Sequence, residues 1–241
     1  MRLALNLPLL VSTLVLLASA GPVQAQAPAA PPQADASAST FVYKPPLRGA
    51  PARRVGGATR GSGESDLVLH VLAPEQTGHT MQSQPRLYWY ASKPSTTMIE
   101  VTVISEQAEL PVLSRNLTTM PGGVQFVDLS QYGVTLAPDT DYEWFVSAVP
   151  DAGQRSKDIT SGGTIRRVSA DAALQARAAA VGERAAPGVL AEAGLWYDAI
   201  AALSRLIERD PADTSLRVQR AALLEQIGLP QAAAHDRAAR P

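Results

Sequence analysis

Short runs of β-branched, leucine and aromatic residues follow one another from Asp66 to Val168 and leave few folds open to this chain. Clusters of Pro, Gly, Ser and Asp separate the runs, which is the pattern of short strands joined by turns. Many short strands within about a hundred residues are typical of an antiparallel β-sandwich, which we predict for residues 66–168. The clear runs are DLVLHVLA, RLYWYAS, MIEVTVIS, GVQFVDLS, DYEWFVSAV and GTIRRV, and LPVLSRNL is a weaker one.

One of these runs carries a more specific pattern at its start. The segment LAPDTDYEWFV places Leu136, Pro138, Thr140 and Tyr142 at every second position. This pattern resembles the L-x-P-x-T-x-Y sequence before the sixth strand of fibronectin type III and related immunoglobulin-like domains. In that family the tyrosine hydroxyl bonds back to nearby backbone, the arrangement called the tyrosine corner. The resemblance implies the same role for Tyr142, and Trp89 then resembles the core tryptophan of an early strand.

The hydrophobic period changes after Val168 from that of strands to that of helices, which predicts a helical region over 169–241. Ser169 is expected to cap the first helix. Gly194 and Gly228 stand 34 positions apart, and the segment GLWYDAIAALSRLIERDP ends in Asp-Pro. This spacing resembles the tetratricopeptide repeat, of which about one and a half copies fit here, fewer than such repeats need to stand alone. The helices must therefore pack on the strands, on each other or on a partner.

Four side chains on these helices are candidate contacts with a partner protein. An apolar stripe on a helix either packs in the core of its own chain or forms a surface for another protein. Binding of a partner predicts an exposed apolar patch on the order of several hundred Å², whereas complete burial would remove the reason for this interpretation. For the tryptophan, a place in the core is the stronger alternative. The four residues are Trp196, Leu203, Leu206 and Leu224.

The amino terminus has the composition of an export signal. A positive charge at Arg2 precedes an apolar run over residues 3–17, and small residues follow up to Ala25. This predicts a general secretory signal peptide over 1–25 that is cleaved near Ala25, with an uncleaved anchor as the alternative. An Ala-, Pro- and Ser-rich tether is predicted over 26–43. We therefore expect a periplasmic or secreted protein that has no transmembrane segment once the signal is removed.

Charge and cysteine content restrict the possible functions. The chain has 21 basic and 22 acidic residues, and removal of Arg2 with the signal leaves a net charge of −2. This balance argues against nucleic-acid binding. The chain has no cysteine, which excludes disulfides and thiolate metal ligands. The three histidines, His70, His79 and His235, are scattered, and no catalytic constellation is found. We predict no metal, no cofactor and no enzyme activity, and keep an enzyme of unrecognised type as an alternative.

The string RGAPARRVGGATRG lies within an Arg- and Gly-rich strap predicted over 44–65. A nucleotide-binding loop requires a lysine after its glycines and a helix behind them. A strand follows here at about Leu67, so the string does not fit a nucleotide site. Two alternatives stay open: a structural strap whose arginines pair with carboxylates such as Asp128, Asp139 or Asp141, or a site for an anionic glycan or phosphate. The arginines concerned are Arg48, Arg53, Arg54 and Arg60.

Three features occur together in this chain: the basic glycine string, the strand sequence LYWY and the later GLWYDAI. The combination resembles the bacterial family called domain of unknown function 928, over most of the chain after the signal. Members of that family occur in Gram-negative bacteria and usually carry a signal peptide, so the resemblance implies an envelope protein but no activity or ligand. We therefore predict a non-enzymatic interaction or scaffold module that binds another envelope protein, and leave its oligomeric state open.

Overall fold

The computed structural model of the chain describes residues 40–46, 54–58 and 67–239, in which two β-sheets precede a helical region. The predicted signal peptide and most of the predicted tether lie outside the described residues. The strands are β1 (Gly57–Ala58), β2 (Val68–Val71), β3 (Gly78–Thr80), β4 (Arg86–Ala91), β5 (Met98–Ser105), β6 (Leu113–Leu117), β7 (Gly123–Asp128), β8 (Asp141–Val149) and β9 (Ile159–Arg167). The helices are α1 (Ala172–Ala180), α2 (Ala186–Glu192), α3 (Trp196–Arg209), α4 (Thr214–Gln226) and α5 (Pro230–Ala238).

The two sheets share one hydrophobic core. The four-stranded sheet has the order β1-β2-β4-β7, and the five-stranded sheet has the order β3-β9-β8-β5-β6. Side chains alternate between the faces of a strand, so β5 turns Val101 and Val103 inward and leaves its other face partly exposed. Val103 stands opposite the buried Trp144 of β8 in the strand register. The region between 66 and 168 therefore forms strands, as predicted from its sequence.

One strand pairing differs from the antiparallel arrangement that the sequence predicts. β3 runs parallel to β9, with Gly78 opposite Ile165 and Thr80 opposite Arg167. The three residues of β3 follow a segment rich in turn residues and are too few to show an alternating pattern. The five-stranded sheet is therefore mixed rather than purely antiparallel.

Tyr142 makes the backbone contact that its sequence context predicts. It lies near the start of β8, and its hydroxyl accepts a hydrogen bond from the backbone N–H of Ala137 at 2.9 Å. The contact fixes the segment between the turn at Gly133 and β8, where Leu136 is also buried. This corner holds one end of the five-stranded sheet in place.

The helices cover the outer face of the four-stranded sheet. Arg86 of β4 forms an ion pair with Glu208 of α3 at 3.1 Å. On the same face the ring of Tyr90 contacts the ring of His235 of α5, with 5.4 Å between centroids. Tyr88 lies between these two positions on β4 and is buried. Sheets and helices therefore form successive layers.

The cap of the first helix lies two residues after the predicted one. The carboxylate of Asp171, not the Ser169 hydroxyl, accepts the hydrogen bond of the first turn, from the N–H of Leu174 at 3.0 Å. Both residue types are good N-caps, and only the backbone geometry decides between them. Among the described helices, none is long and apolar enough to cross a membrane.

Candidate interaction surface

Two aromatic residues at the start of α3 fasten the helices to the sheets. The Nε1 of Trp196 donates to the carbonyl oxygen of Leu72 at 2.7 Å. The hydroxyl of Tyr197 donates to the carbonyl oxygen of Thr164 and accepts from the Nε1 of Trp144, both at 2.9 Å. The two bonds donated by the tryptophans are buried, and the one donated by Tyr197 is partly buried; an unpaired polar group would be costly at such positions. The start of α3 is thereby held to both sheets.

Asp198 is the next residue and completes this junction. Its Oδ1 accepts from the hydroxyl of Thr80 at 3.0 Å, and its Oδ2 accepts from the N–H of Met81 at 2.7 Å. Burial raises the pKa of its carboxyl to about 6, although the two hydrogen bonds and the charge of Arg205 act in the opposite direction. Asp198 therefore ties the segment after β3 to α3 and carries a buried charge at neutral pH.

We expect Asp198→Asn to change how stability depends on pH. Because the pKa of Asp198 is raised on folding, the folded chain binds the proton more tightly than the unfolded chain does. The contribution of this protonated carboxyl to stability is fully present below about pH 4 and is lost as the pH rises through 6. The variant cannot ionise at this position. Its free energy of unfolding, relative to that of the wild type, should therefore rise by up to about 3 kcal/mol as the pH goes from 4 to 7. Urea unfolding of both proteins at several pH values measures this difference. A constant difference across that range would contradict it.

The four apolar side chains that the sequence offers as partner contacts are buried within this chain. Trp196, Leu203, Leu206 and Leu224 all belong to the hydrophobic core. This corrects the prediction of a docking surface on the helical stripe. The stripe packs against the sheets and the neighbouring helices, since so few helices cannot cover their own apolar faces.

Arg54 is bound to backbone carbonyls rather than to a carboxylate. Its Nη1 donates to the carbonyl oxygens of Ala73 at 3.0 Å and of Ile227 at 2.8 Å, and its Nη2 donates to that of Gly228 at 3.2 Å. The last two carbonyls stand at the end of α4, where unpaired carbonyls favour a cation. Arg54 therefore has a structural role of a kind that the sequence did not specify. The other candidates, Arg48, Arg53 and Arg60, lie outside the described residues.

Two of the carboxylates proposed from the sequence as partners of the strap arginines bind other arginines instead. Asp128 binds the Nε of Arg86 at 2.9 Å, and Asp141 binds Arg166 at 2.5 Å. Both partners are neighbours in the strand register, as Arg86 stands opposite Asp128 and Asp141 opposite Arg166. Cross-strand pairing explains both contacts.

Exposed apolar residues lie at the edge of the five-stranded sheet instead. β6 is one of the two edge strands of this sheet, with β3 at the opposite edge, and it pairs with β5 on one side. Its residues 114–116 are exposed, and just before the strand Leu110 is 77% and Val112 is 38% exposed. A strand at the edge of a sheet presents main-chain N–H and C=O groups that can pair with another strand. We call residues 106–117 the β6 edge.

The surroundings of the β6 edge are acidic. Glu106 and Glu109 lie in the turn before β6, and Glu143 of β8 stands opposite Ile104 of β5. All three glutamates are exposed, and none belongs to an ion pair within the described part of the chain. An apolar edge beside exposed negative charge favours a partner segment that carries basic residues.

A cleft of about 200 Å³ lies between the first three helices and the segment 81–86. Two charged side chains of its lining already have protein partners: Asp198 binds Thr80 and Met81, and Arg86 binds Asp128 and Glu208. The described residues contain no group of three or more histidine and carboxylate side chains that could hold a metal ion.

The family model described as "Domain of Unknown Function (DUF928)" matches residues 55–236. The chain belongs to the DUF928 family. The match runs through both sheets and into α5, so the DUF928 domain includes the junction at Trp196 and the helices behind it. It begins inside the basic glycine string, which starts at Arg48. A comparison with curated proteins finds none that matches.

Sequence reasoning did not single out several residues that organise this DUF928 domain. Asp198 could have been noticed as an acidic residue inside an otherwise apolar stripe, next to Trp196 and Tyr197. The buried pair of Arg220 and Asp236 offers no such signal, because its partners lie 16 positions apart on different helices. The β6 edge was visible only as the weakest of the strand-like runs.

Proposed function

We propose that this DUF928 protein is a non-enzymatic exported module that binds another envelope protein through the β6 edge. The single observation that carries the proposal is the exposed edge strand β6, whose outer side pairs with no other described strand, with Leu110 and Val112 beside it. An extended segment of the partner would add to the sheet by main-chain hydrogen bonds, a common mode of peptide recognition. Export rests on the composition of residues 1–25.

The finer architecture that we propose is an immunoglobulin-like sandwich joined to tetratricopeptide-like helices. The hydrogen bond between Tyr142 and Ala137 supports the first part. Gly194 and Gly228 support the second, because both have positive φ, 81° and 71°, at the predicted 34-residue spacing. The rigid junction of α3 with the sheets makes the helices a support for the sheet that carries the β6 edge.

The partner is expected to be a different chain with a basic extended segment. An antiparallel pairing of two copies of β6 about its centre would place Arg115 opposite itself, which like charges disfavour. Arg115 is also occupied within the chain, with its guanidinium 4.8 Å from the centroid of the Tyr132 ring. The three exposed glutamates near the edge attract basic side chains instead.

The test is site-specific crosslinking in the envelope fraction. We expect a photo-crosslinker at Ser114 to capture a protein, and the combined Leu110→Lys and Val112→Lys change to lower the yield by about tenfold or more, because it removes apolar contact and repels a basic segment. Val218→Lys is the matched control, since Val218 is also an exposed valine but lies on α4.

The results separate the alternatives for this surface. Capture that survives the change at Leu110 and Val112, or that falls equally in the Val218 control, would contradict binding at the β6 edge. If the crosslinker at Ser114 captures no protein when the rest of the chain is unchanged, the proposal that this protein is an interaction module is wrong. Hydrogen exchange of β6 in the captured complex should slow, since strand addition protects the outward N–H groups.

A further inference from the structure

A short segment where the predicted tether meets the predicted strap lies in a groove of the helical region. It comprises residues 40–46, with the sequence TFVYKPP. The side-chain amide of Gln226 on α4 binds its main chain twice, with Nε2 donating to the carbonyl oxygen of Phe41 and Oε1 accepting from the N–H of Tyr43, each at 2.8 Å. Groups two residues apart point to the same side in an extended chain. Gln226 therefore recognises extended backbone rather than one side chain.

A third hydrogen bond to the main chain of the segment comes from α2. The N–H of Lys44 donates to the carbonyl oxygen of Ala191 at 3.1 Å. Its ammonium forms an exposed ion pair with Glu192 at 2.5 Å. The carbonyl of Ala191 belongs to the last turn of α2 and also accepts from the N–H of Gly194 at 3.0 Å, so Lys44 adds a second hydrogen bond to this oxygen. The main chain of the segment is thus bound by both α2 and α4.

Side chains of the segment alternate between groove and solvent. Phe41 and Tyr43 point inward, whereas Val42 between them is 53% exposed. The Tyr43 ring meets the edge of the Trp196 ring, with centroids 4.9 Å apart, and burial raises the pKa of Tyr43 to about 12. The hydroxyl of Tyr43 is buried and has no hydrogen-bond partner among the described residues.

A glycine makes room for the first aromatic ring. A Cβ on Gly188 of α2 would lie 2.5 Å from the Cδ1 of Phe41, a distance that real side-chain carbons do not show. Glycine within a helix costs roughly 0.5–1 kcal/mol relative to alanine. At Gly188 its presence allows Phe41 to approach the helix backbone.

We propose that α2, α3 and α4 form a peptide-binding site for an extended aromatic-X-Tyr-Lys segment, and that residues 41–44 are this ligand, supplied by the same chain. The main chain is recognised by Gln226 and Ala191, and the two aromatic side chains fill pockets at Gly188 and Trp196. Sites that bind extended peptides commonly work in this way: main-chain hydrogen bonds give affinity, and pockets for alternate side chains give specificity.

Because residues 41–44 belong to the same chain, they occupy the groove and exclude free peptides from it. A ligand tethered by a few residues has an effective concentration of roughly millimolar. A free peptide of the same sequence therefore competes only when the tethered copy is weakened. Removal of both aromatic side chains in the variant Phe41→Ala/Tyr43→Ala should open the groove while the helices that form it keep their sequence.

The experiment titrates a labelled peptide TFVYKPP into the full chain. We expect saturable binding to the Phe41→Ala/Tyr43→Ala variant and at least about tenfold weaker binding to the wild type, because the tethered segment competes. A control peptide TAVAKPP should bind neither protein. Adding Gln226→Ala to the open variant should weaken binding, because the main-chain bonds are lost. A folded open variant that does not distinguish TFVYKPP from TAVAKPP would overturn the proposal.

Hydrogen exchange in the wild type supplies a second test that needs no variant. The amides of Tyr43 and Lys44 should exchange through a local opening that requires less free energy than global unfolding. Exchange of these amides only by global unfolding would mean that the segment is an inseparable part of the core, and would overturn the proposal. Both measurements concern the helical groove, so their outcome is independent of whether the β6 edge binds a partner.

Discussion

Replacement of Asp236 by alanine is expected to lower the free energy of unfolding by about 3–5 kcal/mol. Asp236 on α5 and Arg220 on α4 are both buried and form two parallel hydrogen bonds of 2.7 Å, from Nε and Nη2 of the arginine. The Nη1 of Arg220 donates to the hydroxyl of Ser204 on α3 at 2.9 Å. Loss of the carboxylate leaves an unpaired buried charge between three helices.

An exposed ion pair between the same two helices provides the matched control. Glu225 of α4 binds Arg237 of α5 at the surface. Glu225→Ala should change stability little, because solvent screens the pair. The combined change Arg220→Met/Asp236→Leu should recover most of the loss, since it removes both buried charges. Urea unfolding measures all four proteins, and an Asp236→Ala loss no larger than that of Glu225→Ala would contradict the expected role of the pair.

Trp196→Ala is expected to cost about 3–5 kcal/mol and to loosen the helices from the sheets. The change removes a fully buried ring, its hydrogen bond to the carbonyl of Leu72 and its contact with Tyr43. Limited proteolysis should then cut the connection between β9 and α1 more readily than in the wild type, because the contact across the layers has been weakened.

Trp196→Phe separates packing from hydrogen bonding at this position. The phenyl ring keeps most of the buried area but leaves the carbonyl of Leu72 without its donor, which should cost about 1–3 kcal/mol. Urea unfolding of both variants gives the comparison. If both variants lose the same free energy of unfolding, the packing of the Trp196 ring does not hold the helices to the sheets.

The strands were predictable where their patterns are local and long enough. The eight residues of β5 alternate strictly between buried and half-buried positions, and such alternation is readable from sequence because neighbouring side chains point to opposite faces. Tyr142 was predictable for a similar reason, since its partner Ala137 lies five positions away. β3 was not, because a strand of three residues is defined by its neighbour β9 and not by its own composition.

The candidate site was predictable only in part. The apolar stripe through Trp196 and Leu203 was recognised from its periodicity. Periodicity predicts that one face of the helix is buried, but it does not identify the part of the chain that packs against that face. Here the sheets and the segment at Tyr43 cover it. The exposed β6 edge had no distinctive sequence, because exposure of a strand depends on its place in the sheet.

The sequence by itself determined the longer strands, the change from strands to helices after Val168, the end of α3 at Asp210-Pro211 and the backbone contact of Tyr142, because each depends on residues a few positions apart. Only the tertiary structure decided where charged and apolar side chains find their partners. Arg54 binds a carbonyl 173 positions away at Ile227, and Gln226 binds a segment 183 positions away at Tyr43. Such contacts are set by the packing of the layers, which brings distant parts of the chain together without leaving a local pattern.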